Sequence, residues 1–192
     1  MSLVTLLNDV TEITKRPDAR ARALLALNTL ILEIVTNQDY SQDLVETTLL
    51  NPNSEGSAIA SIPLPISPAV RKVSYLTANG IPLNSVSPQN ILDSSGNCTQ
   101  TNIFYRSGNN LIVRSRCLFT EVRFGYYQRF VGLVEQAGAD QHWLLDEYEH
   151  LLLNGTVGRV FAATGDDQSA QYYESVYRDL RRNIRSGLAE GD

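Results

Sequence analysis

The sequence predicts an α+β protein, with a helical bundle formed by the N- and C-terminal helices and a β-rich insertion in the middle. Residues 1–39 carry apolar side chains at helical spacing, and residues 131–192 return to that spacing. Residues 40–130 instead show short apolar alternations between prolines, serines and asparagines, which is typical of strands and loops. Because helices from both ends must bury an apolar stripe, the simplest arrangement packs them together and lets the β-region project.

The composition is that of an ordinary globular protein. The chain has 192 residues, of which 43% are hydrophobic and 19% charged, enough for one domain with a core. The net charge of −5 argues against a general affinity for nucleic acid.

Neither a targeting signal nor an apolar run of about twenty residues is present, so we expect a protein made and kept in a cytosol, without membrane contact. In that compartment Cys98 and Cys117 are expected to be free thiols.

The N-terminal segment predicts two helices. The first covers residues 2–16 with Ser2 as its cap, and Pro17 fits the first position of a second helix that runs to about Asn37. The apolar surface of this second helix is wider than one face. We therefore expect it to have neighbours on two sides, from the bundle, from another subunit or from both.

The middle region predicts strands and turns. Five segments have the β-branched or alternating pattern of strands: 45–50, 70–76, 81–86, 103–106 and 111–115. Strict alternation would place Val70, Lys72, Ser74 and Leu76 on one face of the second of these. Asn79-Gly80 is a strong turn signal, and the last two segments read as a hairpin. Residues 117–130 are rich in β-branched and aromatic residues, and a return to helix is predicted after Val131.

The C-terminal segment predicts three helices. The first is amphipathic, with Leu144, Tyr148, Leu151 and Leu152 on one face and Asp140 as its N-cap. Asp166 or Asp167 is expected to cap the last helix, and Gly187 to follow its end.

The packing residues of this segment resemble those of tailed-bacteriophage head-to-tail adaptor proteins (connector or head-completion proteins). The resemblance lies in the order Trp-x4-Tyr-x2-Leu-Leu-x2-Gly, an aspartate-bearing turn, and Tyr-x3-Tyr-x2-Leu. These positions are Trp143, Tyr148, Leu151, Leu152, Gly155, Asp166, Asp167, Tyr173, Tyr177 and Leu180.

The resemblance implies a structural protein of the virion, located in the neck between head and tail and made in the bacterial host cytoplasm. Copies would form a ring, a dodecamer in the family, beneath the portal protein. The ring would extend the DNA channel, through which viral DNA passes without sequence-specific binding, and would dock a tail nozzle or tail-tube protein. Subunits of this family are expected to stay monomeric until a portal is offered.

Two groups of arginines and tyrosines are candidate contact surfaces. The first lies on the last helix and is expected to bind the portal or a neighbouring subunit: Arg178, Arg181, Arg182, Arg185, Tyr173 and Tyr177. A solvated helix end or a contact with phosphate backbone are the alternatives. The second lies in the β-region and is expected to face the tail or another subunit: Tyr105, Arg106, Arg114, Arg116, Arg123 and Tyr126. The alternatives are that these residues are ordinary core and surface, or that they form a platform that binds single-stranded nucleic acid.

Catalytic and metal sites are not expected. His142, Asp146, Glu149 and His150 would share one side of a helix, but an eight-residue separation sets the two imidazoles about 12 Å apart along the axis, too far for one tetrahedral metal. No nucleophile elbow or phosphate loop is recognisable. We therefore predict a protein that is not an enzyme and has no cofactor. The alternatives are another tail-completion or assembly module and, less favoured, a small hydrolase with acidic residues.

Overall fold

The computed structural model describes residues 2–53, 55–65, 69–90, 100–135 and 142–189, apart from the side chains of residues 90, 183 and 185–189. The chain divides into two compact units. The helical unit combines Met1–Gln38 with Phe130–Asp192, and the β-unit is Asp39–Arg129.

The described residues contain five α-helices and eight β-strands. The helices are α1 (Leu3–Thr14), α2 (Arg20–Asn37), α3 (Trp143–Glu147), α4 (Glu149–Thr164) and α5 (Asp167–Ala189). The strands are β1 (Leu44–Leu50), β2 (Ser57–Pro63), β3 (Val70–Ala78), β4 (Ile81–Pro82), β5 (Asn84–Ser85), β6 (Ile103–Ser107), β7 (Asn110–Phe119) and β8 (Glu121–Gln128). Short 3-10 turns lie at Pro17–Ala19, Ser41–Asp43 and Pro88–Asn90.

The predicted bundle of terminal helices around a β-rich insertion is wrong. The protein is α+β with two four-stranded sheets as well as five helices in its described part, and the helices are not a terminal bundle around a β insertion. The β-region builds a hydrophobic core of its own, and the helices are arranged around α4. Apolar periodicity identifies which face of a helix is buried, but not which element buries it, so the sequence pattern could not supply this arrangement.

Helix α4 is the central element of the helical unit, and it contacts α1, α2, α3 and α5. Its buried residues lie on several sides, including Leu152, Val157 and Val160. Gly155 faces Leu30 of α2 and Tyr177 of α5, so that a Cβ atom at this position would lie 2.8 Å and 2.9 Å from their side chains. The absence of a side chain therefore lets two helices approach α4 closely at one level.

Two of the predicted helix caps are confirmed. The Ser2 hydroxyl accepts a hydrogen bond from the amide of Thr5 at 3.1 Å, and an Asp166 carboxylate oxygen accepts one from the amide of Ser169 at 3.1 Å. Gly165 ends α4 in the left-handed conformation, with φ of 82°.

Other predicted helix boundaries are wrong or untested. Pro17 begins a 3-10 turn rather than α2, which starts at Arg20. Helix α5 continues past Gly187 to Ala189. The predicted N-cap Asp140 lies outside the described residues, and His142 caps α3 instead.

In the β-unit, the first sheet has the order β1-β8-β3-β4 and the second sheet the order β2-β7-β6-β5. All neighbours are antiparallel except β5 and β6. Alternate residues of both sheets form one shared core, in which Phe119, Phe124 and Tyr126 are the largest fully buried side chains. Asn51 supports the passage from β7 to β8, since its side chain donates to the carbonyl of Phe119 and its amide to that of Thr120.

The predicted hairpin of β6 and β7 is confirmed. Asn79 and Gly80, with φ of 49° and 79°, form the turn predicted between β3 and β4.

Other predictions for the β-region were incomplete or wrong. Strand β2 was not predicted. The strict alternation predicted for residues 70–76 is wrong, because the pairing of β3 with β8 shifts register twice and exposes Lys72 and Ser74. The predicted return to helix after Val131 is also wrong, since residues 130–135 have no regular structure.

Candidate functional site

Helix α5 presents an arginine face to solvent. Ala170, Tyr177 and Ile184 are buried on one side of the helix. Arg178 and Arg182 lie away from that side, and their side chains are 69% and 80% exposed. The cap at Asp166 fixes the start of the helix, and its hydrogen bonds with Ser169 lower the pKa of the carboxyl group. The two exposed arginines are therefore held on a well-anchored helix.

The arginines of α5 have local partners on the same helix. Arg178 pairs with Glu174 at 3.1 Å, and Arg182 pairs with Asp179 at 3.3 Å. Arg181 donates a hydrogen bond to the hydroxyl of Tyr177 at 3.1 Å and lies 5.9 Å from the centre of its ring. Pairs between exposed ions contribute only about 0.2–1 kcal/mol, so Arg178 and Arg182 can exchange an internal partner for an external one at low cost.

The two tyrosines of this candidate site are less accessible than the arginines. Tyr177 is only 3% exposed, and its burial raises the pKa of its phenol. Tyr173 is partly buried and stacks on Phe161 with a centroid distance of 5.7 Å. The neighbouring Tyr172 is the exposed aromatic residue here, and the sequence pattern did not single it out. The side chain of Arg185, also predicted for this site, lies outside the described side chains.

Part of the second predicted group comes together on the outer face of the second sheet. Residues paired across antiparallel strands point to the same side. Tyr105 is paired with Ile112, and Arg114 is paired with both Ile59 and Ile103. Arg116 is exposed further along β7. The sequence did not identify Ile59 as a member of this face, because β2 was not recognised as a strand.

The remaining members of that group lie elsewhere. Arg106 is near the β6–β7 turn, where its Nε donates to the carbonyl of Gly108 at 3.0 Å. Arg123 is exposed on β8 in the first sheet. Tyr126 is fully buried in the core, and desolvation raises its pKa. The structure therefore divides the predicted surface between two sheets and the core.

The four residues considered as metal ligands do not share one helix. Tyr148, with φ of −131° and ψ of 42°, separates α3 from α4. The Nδ1 of His142 accepts a hydrogen bond from the backbone amide of Leu144. The His142 and Phe130 rings pack edge to face, with their centroids 5.2 Å apart. His150 is exposed on α4. Among the residues that the structure describes, no three His, Cys, Asp or Glu side chains are placed to hold a metal ion.

An apolar groove of about 250 Å³ lies beside the start of α4. Its apolar lining includes Tyr148, Leu151, Leu180 and Ile184, and its rim carries Glu147, Glu149 and His150. Three of these residues belong to the adaptor-like motif. In this structure the motif residues thus hold α4 against α5 and leave a shallow depression.

A second apolar surface of the helical unit was not predicted. The segment after Phe130 is tied to α2, because the side-chain amide of Asn28 donates to the carbonyl of Leu133 and accepts a hydrogen bond from the backbone amide of Leu133. Arg20 forms an ion pair with Glu135 at the end of the same segment. Val131 and Val134 remain exposed there.

No family model matches the sequence, and no curated protein matches it either. No described helix combines the length and the hydrophobicity that a membrane span requires.

Proposed function

We propose that this chain is a structural protein of a tailed bacteriophage, a head-to-tail adaptor. Its copies form a ring under the portal protein, extend the DNA channel and dock the tail nozzle or tail tube. The work of such a protein is binding, and a ring of weak contacts is strengthened by multivalency. The observation that carries the proposal is the adaptor-like motif, whose packing residues hold α5 with its arginine face in solvent.

The motif supports this proposal through packing. Leu151, Leu152 and Gly155 are buried in α4, and Tyr177 of α5 lies against Gly155. These residues fix α5 against the centre of the helical unit. A helix held in this way presents its outer residues at defined positions, as a docking surface requires.

The portal contact is assigned in this proposal to Arg178 and Arg182. Arginine is enriched at interface hot spots and binds carboxylates through two parallel hydrogen bonds. Their present partners, Glu174 and Asp179, are on the same helix and are themselves accessible, so that an acidic portal surface can displace them.

The test is electron microscopy of the purified protein mixed with portal rings. The expected result is a second ring on the portal. The double variant Arg178→Glu/Arg182→Glu is expected to lose this density and at least tenfold in portal affinity, with an unchanged circular dichroism spectrum. Arg16→Glu is the matched control, because Arg16 is also exposed and paired with a near neighbour, Asp18. If the double variant binds portals as the control does, the assignment of the portal contact fails. If no ring forms with the unaltered protein, the adaptor function fails.

A further inference from the structure

The outer face of the second sheet has the anatomy of a protein contact. Ile59 is 54% exposed and is paired with Arg114, while the next row contains Ser61, Ile112 and Tyr105. Val113, between the two rows on β7, points to the opposite side and is fully buried in the core. Arginine set among aliphatic and aromatic side chains is the composition found at interface hot spots.

One N–H donor of Arg114 has no acceptor among the described residues. This donor, the Nε, is buried, although the residue as a whole keeps some exposure. A guanidinium group has five N–H donors and cannot be neutralised by losing its proton. Leaving such a donor unsatisfied and away from water is unfavourable. Because Arg114 as a whole keeps some exposure, a carboxylate brought in by a partner would bind the remaining N–H groups of the guanidinium.

The outer face of the first sheet offers the complementary chemistry. Leu50 is 71% exposed and is paired with Glu121, which is also exposed. Thr48 is paired with Arg123 in the next row on the same side. This face therefore combines an exposed aliphatic side chain with a neighbouring carboxylate.

We propose that the outer face of the second sheet binds the outer face of the first sheet on another copy of this chain. Arg114 of one copy meets Glu121 of the next, with Ile59 and Leu50 packed beside the ion pair. The two outer faces lie on opposite sides of the shared core, so each copy uses two different faces. Such a head-to-tail contact repeats from copy to copy and closes into a ring when the rotation permits. The inference rests on the proposed ring-forming function and assigns its subunit contact to the β-unit.

A protein partner fits this face better than nucleic acid does. Ile59, Ile112 and Leu118 supply aliphatic surface next to the arginines, and Leu118 is largely exposed. A surface that binds single-stranded nucleic acid needs a continuous basic groove with stacking aromatic residues. The chain as a whole, in contrast, has a net charge of −5.

The test uses cross-linking between introduced cysteines. In a Cys98→Ser/Cys117→Ser background, Leu50→Cys and Ile59→Cys are made singly and together. Each protein is treated with a short bismaleimide both alone and mixed with portal rings, since the proposed adaptor assembles when a portal is offered. The double variant is expected to give a ladder of dimers, trimers and larger products on a denaturing gel, because it carries one cysteine on each contacting face. Each single variant is expected to stay monomeric, because two identical faces do not meet. The matched control is Leu25→Cys, which places an equally exposed cysteine on α2.

Charge exchange provides a second measurement in the same double-cysteine protein. Arg114→Glu and Glu121→Arg are each expected to reduce the cross-linked fraction at least tenfold, and their combination is expected to restore most of it. Circular dichroism of each variant shows that it is folded.

Several results would overturn the inference. Dimers from either single variant would show a symmetric contact, and efficient cross-linking of Leu25→Cys alone would place the contact on the helical unit. DNA retention that Arg114→Gln abolishes, without any ladder, would identify a nucleic-acid surface instead. Rings on portals without a ladder would overturn this inference and leave the adaptor function standing. A ladder without portal binding would support this subunit contact and overturn the adaptor function.

Discussion

Gly155 on α4 packs against side chains of two other helices, and replacing it with alanine tests that packing directly. The new Cβ atom would lie 2.8 Å from Leu30 Cδ2 and 2.9 Å from Tyr177 Cδ2. Both neighbours are almost completely buried and belong to different helices, so neither can move away freely. Overpacking of this kind costs about 1–3 kcal/mol.

The net effect is smaller than the overpacking cost, because alanine favours the helix. Gly→Ala in a helix interior contributes about 1 kcal/mol of stability when the side chain meets no obstacle. Two contacts below 3.0 Å place the overpacking cost of Gly155→Ala near the upper end of its range. We therefore expect the free energy of unfolding to fall by about 2 kcal/mol, and the urea midpoint by about 1 M for a typical slope.

The assay is urea unfolding followed by the fluorescence of Trp143, the single tryptophan, which lies in the helical unit. Gly158→Ala is the matched control on the same helix. Its Cβ atom would lie 3.3 Å from Tyr173 Cβ, so its stability is expected to stay within about 0.5 kcal/mol of the unaltered protein. The double variant Gly155→Ala/Leu30→Ala is expected to lose about 1 kcal/mol less than the sum of the two single losses, because the new methyl group enters space that Leu30 vacates. A Gly155→Ala protein that is about 1 kcal/mol more stable than the unaltered one would refute this account of the helix packing.

Three further predictions concern other parts of the chain. The Tyr75 ring occupies the space above Gly125, so Gly125→Ala is expected to displace the ring and destabilise the β-unit by about 1–3 kcal/mol in thermal unfolding. Asp39 has a lowered pKa because its carboxylate accepts hydrogen bonds from Lys72 and Arg71. Its contribution to stability is therefore present above the carboxyl pKa of the unfolded chain, and it is lost as the pH falls through the lower pKa of the folded protein. Acid titration of Asp39→Asn is expected to show a weaker loss of stability below about pH 4. Asp166→Ala is expected to cost about 1 kcal/mol of helix stability, measured by urea unfolding.

Each of these predictions has its own check. Tyr75→Ala is expected to remove most of the penalty of Gly125→Ala, and an equal penalty in both backgrounds would contradict the overlap. An unaltered acid transition in Asp39→Asn would show that this ion pair does not contribute to folding. For the α5 cap, Asp166→Asn is the conservative control and should retain most of the stability, because an amide oxygen also accepts a hydrogen bond from Ser169.

Local sequence patterns were sufficient where short-range chemistry decides the structure. The cap at Ser2, the turn at Asn79-Gly80 and the hairpin of β6 and β7 follow from side chains and φ preferences within a few residues. The buried stripes of α1 and α2 also followed from their apolar periodicity.

The candidate site was predictable only in part. The arginines of α5 were identified by their spacing, but the burial of Tyr177 was decided by its contact with Gly155 of α4. Tyr126 and Arg114 were predicted to belong to the same contact surface, yet one is in the core and the other on an outer face. Because strand faces depend on register, and β3 and β2 both contain irregular pairings, composition could not separate surface from core.

The sequence by itself determined most of the helical and extended segments, and where several of them begin and turn. It also identified the exposed arginines of α5. Only the tertiary structure decided that α4 is the central helix, that the β-unit has two sheets around its own core, and that Arg114 lies beside Ile59 rather than near Arg123. The physical reason is the range of the interactions. Caps and turns are settled by neighbours along the chain, whereas burial depends on contacts between residues far apart in sequence, and many alternative pairings satisfy the same apolar pattern.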